Sequence, residues 1–143
     1  MARILGIDYG TKRTGIAVTD PLQLISSALE TVPTATILDF LKTYLLTEEV
    51  ERIIVGEPKK HDESDADIMP KIRQFVADFT KLFPNIPVDM QDEQYTSFQA
   101  KRIIFQSGVP KMKRRDKSLV DKVSASLIIK EWMEANGKWE RTY

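Results

Sequence analysis

Arg3-Ile4-Leu5-Gly6-Ile7-Asp8 runs through Tyr9-Gly10-Thr11-Lys12-Arg13-Thr14-Gly15 into Ile16-Ala17-Val18-Thr19-Asp20. Ile4, Leu5 and Ile7 form a nearly continuous apolar run, the signature of a strand covered on both faces. The strand ends on a carboxylate, and burying Asp8 costs free energy unless a cation or hydrogen-bond donors compensate it. Asp8 is therefore the first candidate for chemistry. The plainer alternative is an Asp that caps the turn between two strands. The apolar strand behind Asp8 and the glycines at 10 and 15 favour the functional reading, because glycines there allow a tight hairpin loop.

Working outward, strands are expected near residues 3–8, 15–20 and 24–32, the last following a turn at Asp20-Pro21. Thr36-Ile-Leu-Asp39 reads as a capping box. It opens a helix whose apolar positions Ile37, Phe40, Leu41, Tyr44 and Leu45 fall on one face. Ile53-Ile54-Val55-Gly56 is a short buried strand. A second helix carries Ile68, Ile72, Phe75, Val76, Phe79, Leu82 and Phe83, and Pro70 in its first turn sets its start near Asp67. Val88-Asp89-Met90-Gln91 is a fifth strand. Thr96-Ser-Phe-Gln99 is a capping box for a third helix, and Ser118 opens a last one reaching about Asn136-Gly137.

The order βββαβαβαα predicts an α/β fold. Its five-stranded mixed sheet combines a three-strand antiparallel meander with parallel strands reached by crossovers, flanked by helices. With 143 residues and no repeat or linker, a single domain over 1–143 is expected. In such sheets sites gather at the C-terminal strand ends.

Composition narrows the chemistry. The apolar and charged fractions, 42% and 29%, are those of an ordinary globular chain. No run of about 20 apolar residues suggests a membrane span. No signal-peptide pattern is present either, so a cytoplasmic location is expected. Absence of cysteine excludes disulfides and thiolate metal sites. Lys plus Arg and Asp plus Glu are equal at 21 each, but unevenly spread. Glu48 to Asp67 holds eight acids and three bases, whereas Lys101 to Lys122 holds eight bases and two acids. Opposed patches permit a local polyanion site on a neutral chain.

Several acids fall at predicted strand ends: Asp8, Glu57, and the pair Asp92-Glu93. Asp121 joins them from the last helix, where it shares a face with Ala125, Ile128 and Trp132. Carboxylates converging from separate elements repel unless protonated or bridged by a divalent cation. Oxygen donors without cysteine or clustered histidine favour Mg²⁺ or Mn²⁺. Two such ions activate water and stabilise a leaving oxygen in phosphodiester cleavage. Each acid also has a plainer reading. Ser118-Leu-Val-Asp121 is itself a capping-box pattern, Asp92 or Glu93 would accept from the next helix N-terminus, and Glu57 suits a solvated loop. His61, the lone histidine, lies among Lys59, Lys60, Asp62 and Glu63 and reads as solvated.

Lys111-Met-Lys113-Arg114-Arg115-Asp-Lys117 packs five bases into seven residues just before Asp121. Such a segment grips phosphates without reading sequence. Lys12 and Arg13 add two charges beyond Asp8.

Gly6-Ile-Asp8-Tyr-Gly10-Thr-Lys12-Arg13-Thr-Gly15-Ile-Ala17, Val55-Gly56-x-Pro58, Asp92-Glu93-x-x-Thr96-Ser97 and Val120-Asp121-x-Val-x-Ala125 closely resemble the YqgF/RuvX family. The resemblance spans essentially the whole chain. It implies a ribonuclease H-like fold related to the Holliday-junction resolvase RuvC, and a nuclease that processes the 5′ end of pre-16S rRNA. Junction resolution is the alternative function. By position it implies an acidic site of Asp8, Asp92, Glu93 and Asp121, with Asp8, Glu93 and Asp121 as metal ligands. Lys12, Arg13, Lys111, Lys113, Arg114 and Arg115 would bind substrate. The family usually reads Asp-Glu-Arg where this chain has Asp92-Glu93-Gln94. It usually reads Leu, then Pro-Leu-Asn, where Glu57, Pro58, Lys59 and Lys60 stand. Glu57 would then be an added acid at the fourth strand, where RuvC-like nucleases carry one.

The expected partner is therefore nucleic acid, structured RNA first and branched DNA second, bound by a monomer or weak homodimer. Two further classes compete. Asp8-Tyr-Gly-Thr11 is similar to the phosphate loop of sugar kinases and heat-shock ATPases, but those need a second lobe for which 143 residues leave no room. A non-catalytic RNA-binding assembly factor would show RNA binding without metal-dependent turnover.

Overall fold

The structure is a computed structural model that describes residues 2–58, 63–93, 102–106 and 117–140. Its elements are β1 (Arg3–Asp8), β2 (Arg13–Thr19), β3 (Ser26–Pro33), a short 3-10 turn (Thr34–Thr36), α1 (Ile37–Thr47), β4 (Val50–Pro58), α2 (Glu63–Leu82), β5 (Val88–Glu93), α3 (residues 102–106) and α4 (Lys117–Ala135). The strands form one sheet in the order β3-β2-β1-β4-β5. β1–β2 and β2–β3 are antiparallel, while β1–β4 and β4–β5 are parallel. This is the expected mixed sheet, with β1 at its centre.

The pleat assigns each side chain to a face. Leu5, Ile7, Ile53 and Val55 join Leu41, Ile72, Phe75 and Phe79 in the core under α1 and α2. Ile4, Ala17 and Ile54 join Ala125, Ile128, Ile129, Trp132 and Met133 in the core under α4. A strand buried on both sides has no polar face, which is why β1 reads as an apolar run. Gly6 lies on the α4 face, where an added Cβ would stand 2.8 Å from the Ala125 carbonyl oxygen. The absent side chain lets the helix lie directly on the central strand.

Three local details differ from the sequence reading. Thr36 does cap α1 by position, but its hydroxyl donates to the Pro33 carbonyl at 2.9 Å and makes no cap bond, so the capping box does not form. α2 begins at Glu63, four residues early, which leaves Pro70 inside the helix instead of in its first turn. β2 starts at Arg13, so Lys12 alone separates Thr11 from the strand. The capping box at 96–99 lies outside the described residues. Among those described, no helix is long and apolar enough to cross a membrane.

At the sheet edge opposite the β1 C-terminus, Asp20 organises the β2–β3 loop. Its Oδ1 accepts from the Leu24 and Ile25 amides at 2.8 and 2.9 Å, and its Oδ2 from Leu22 at 3.2 Å. These donors, Ile25 foremost, hold the carboxyl below its usual value near 3.8. A lowered folded value means the contribution is complete above the ordinary carboxylate range and is lost as pH falls through the folded value. A ¹³C chemical-shift titration of the Asp20 carboxyl is expected to give a midpoint below that of an unstructured Asp peptide. An unshifted midpoint would refute the loop assignment.

Candidate active site

Asp8 is the last residue of β1 and shares the Ile4–Gly6 face, towards α4. It is only partly buried, and it pairs in register with Gly15 of β2. Gly15 explains how Asp121 arrives. A Cβ built on Gly15 would stand 2.0 Å from the Asp121 carbonyl oxygen and 2.8 Å from the Lys122 nitrogen. The first turns of α4 therefore rest on the bare backbone of β2. One strand neighbour separates the backbone of Asp8 from that of Asp121, although the two lie 113 positions apart in sequence (121 − 8).

Asp121 leads the stripe Ala125, Ile128 and Trp132, which is buried against the sheet. Ser118 lies within α4, which already begins at Lys117, so it is not the N-cap of a box closed by Asp121. Instead the Asp121 Oδ2 accepts from Arg13 Nε at 2.7 Å, with the two side chains 23% and 42% exposed. That exposure keeps the ion pair weak in net energy. Its meaning is electrostatic: the carboxylate at this strand end already holds a cation.

Gly10, Thr11, Lys12, Arg13 and Asp121 line an open cavity of about 220 Å³ at the same edge. The loop that forms it is braced from the 3-10 turn that follows β3. Thr34 donates through its hydroxyl to the Gly10 carbonyl at 2.6 Å and through its amide to the Lys12 carbonyl at 2.9 Å. Thr14 and Thr34 hydroxyls meet at 2.8 Å. This brace escaped the sequence reading. Threonines 20 positions apart carry no mark of contact until the β2–β3 register joins Thr14 to Val32 and Arg13 to Pro33.

Register also sorts the remaining acids. Glu57 pairs with Asp92 and Pro58 with Glu93. Glu57 lies beside Met69, Ile72, Arg73, Val76 and Met90 around a cavity of about 350 Å³ on the α2 face. Asp92 shares its register position and is exposed. Both thus stand across the sheet from Asp121. Glu93 holds the backbone position that continues Asp89 and Gln91, and Asp89 is on the α4 side, where it pairs with Arg52 at 2.7 Å. Arg52 in turn lies over the Trp132 ring, 5.6 Å from its centroid. The Glu93 side chain, His61, Gln94 and the basic residues Lys111, Lys113, Arg114 and Arg115 lie outside the described residues. Among those described, no three acidic or histidine side chains gather closely enough to hold a metal ion.

The chain matches the RuvX Holliday junction resolvase family model over residues 2–135. It is 49% identical over 134 residues to a Porphyromonas gingivalis protein named "putative pre-16S rRNA nuclease", covering 94% of this chain and 97% of that one. A Christiangramia forsetii protein of the same name is 47% identical over 133 residues, covering 93% and 98%. Among solved structures, Thermus thermophilus RuvC in complex with a Holliday junction superposes with a TM-score of 0.57 at 16% identity, covering 95% of this chain and 97% of that one. The fowlpox virus resolvase in complex with junction DNA gives 0.53 at 13% identity, covering 94% and 98%. These likenesses carry the fold, which is ribonuclease H-like. With the family match spanning nearly every described element and the sequence kinship spread over the same length, this chain belongs to the RuvX family of Holliday junction resolvases.

Proposed function

We propose that the protein is a metal-dependent nuclease acting in the cytoplasm on structured RNA, cutting the 5′ end of pre-16S rRNA. The observation that carries this reading is the seating of Asp121 of α4 on Gly15, the register partner of Asp8. Support comes from relatives at 49% and 47% identity that are named for that activity. The donor set suits a hard divalent cation, Mg²⁺ or Mn²⁺: it consists of carboxylate oxygens with no thiol. Asp8, Asp121 and Glu93 would hold the ions, which supply an activated water and charge stabilisation at the leaving oxygen. Glu93 is preferred to Asp92 because alternation puts Asp92 with Glu57 on the α2 side.

The chain's own residues have distinct tasks. Lys12 and Arg13 line the cavity and contact the scissile phosphate, with the Gly10–Lys12 backbone held by Thr34. Arg13, paired to Asp121 at the cavity wall, would offer its fork of donors to two oxygens of the phosphate. Lys111, Lys113, Arg114 and Arg115 grip the flanking backbone by salt-dependent contacts.

Junction resolution remains the second reading, favoured by the two resolvases that share the fold. Cleavage of a 5′-extended 16S precursor and of a four-way DNA junction, each with Mg²⁺ or Mn²⁺ and with EDTA, separates the two. The RNA is expected to be cut at discrete 5′ positions and the junction to be cut at least about tenfold more slowly. Junction cleavage in symmetric pairs with intact RNA would reverse the assignment. RNA binding without cleavage would make the protein an assembly factor.

A further inference from the structure

A second cavity of about 220 Å³ opens at the same strand ends but on the α1–α2 side of the sheet. Tyr9, the residue after Asp8, forms one wall with Phe75; their rings are tilted by 38° with centroids 5.4 Å apart. Lys71, Gln74 and Asp78 line it from α2 and recur at spacings of three and four, so one helical stripe presents all three. Gln74 donates to Asp78 Oδ1 at 2.8 Å, which orients the carboxylate. Burial and the nearby Asp78 charge push the Tyr9 phenol up, so the hydroxyl stays protonated.

This cavity and the phosphate-binding one share a wall. Thr34 lines the first, and its amide and hydroxyl are bonded to Lys12 and Gly10, which line the other. Tyr9 directly precedes Gly10, so the two cavities adjoin at the start of one loop. We propose that this cavity takes a single guanine base, unstacked from the nucleotide beside the scissile phosphate. An aromatic wall is what an unstacked base needs, because every base offers a flat face for stacking. The polar stripe selects among bases. Guanine alone presents two adjacent donors, N1–H and the N2 amino group, which a carboxylate accepts together, with O6 beside them as an acceptor for a lysine. Adenine and cytosine would set a ring-nitrogen lone pair against Asp78, and uracil offers one donor between two acceptors. The assignment rests on the nuclease reading for the placement of the phosphate, but the binding step stands apart from cleavage.

Titration of the full chain with GMP, AMP, CMP and UMP, followed by amide chemical shifts, tests it with the phosphate held constant. GMP is expected to bind about tenfold or more tightly than the other three, a margin of about 1.4 kcal/mol, with shifts at Tyr9 and Phe75. Asp78→Asn is expected to reduce that preference to under about threefold, and Lys71→Gln, at an exposed side chain, to weaken GMP alone. Equal affinities for all four, or shifts confined to residues 10–13, would overturn the assignment. Cleavage of RNAs in which one guanine is moved across the cut then separates the two proposals. Guanine-selective binding with no RNA cut sinks the nuclease reading only. RNA cleavage without guanine-selective binding sinks this one only.

Discussion

Asp8→Asn is expected to lower metal-dependent cleavage by about a thousandfold or more while changing the melting temperature little. The size follows from losing a charged ligand to ions that stabilise an anionic transition state; about 4 kcal/mol of barrier corresponds to that factor. Asp8 is the last residue of β1 and only partly buried, so exchanging its carboxylate for an amide of the same size leaves the sheet packing in place. Asn keeps the shape of Asp, so the β1–β2 ladder persists. Single-turnover cleavage with Mn²⁺, calorimetric titration of Mn²⁺ and thermal melting measure the three quantities separately. An unchanged rate would remove Asp8 from the site. A fall in rate together with a fall of many degrees in melting temperature would make it a structural residue.

The second large effect is on stability. Gly15→Ala places a methyl group where the structure leaves 2.0 Å to the Asp121 carbonyl oxygen and 2.3 Å to its carbon. Neither partner is a flexible side-chain tip. One is the backbone of α4 and the other the backbone of β2, paired to both β1 and β3. Relief requires moving the helix, which also lifts Ala125 and Ile129 off the central strand. Overpacking commonly costs 1–3 kcal/mol, and this site belongs at about 3 kcal/mol, or a fall of roughly 10 °C. The same shift withdraws Asp121 from Asp8, so cleavage falls as well. Gly137→Ala is the comparison. Its φ of +71° favours glycine, but nothing stands within 4 Å of an added Cβ, so about 1 kcal/mol is expected. Equal destabilisation by the two alanines, read from denaturant melts, would show that contact with α4 is not what excludes a side chain at position 15.

How far the sequence could be read depended on the range of the interactions involved. β1 was legible because a strand covered on both faces must be apolar throughout, and Ile4, Leu5 and Ile7 are all buried. The stripe of Asp121, Ala125, Ile128 and Trp132 was legible because helical spacing is local. The meander was legible from short turns between β1, β2 and β3. The start of α2 and the unused capping box at Thr36 were misread because local signals compete: a proline, a run of acids and a threonine each admit more than one arrangement.

What the order of residues determined by itself is the set of elements and the carboxylates that end them, since backbone sterics, turn chemistry and apolar periodicity act over a few residues. Only the tertiary structure decided which side of the sheet the described strand-end residues occupy. Strand register and the pleat placed Asp92 and Glu57 on the α2 side, and close packing on Gly15 brought Asp121 and Arg13 together. Face and distance are properties of pairs of chain segments, and no single segment carries them until the sheet aligns its strands.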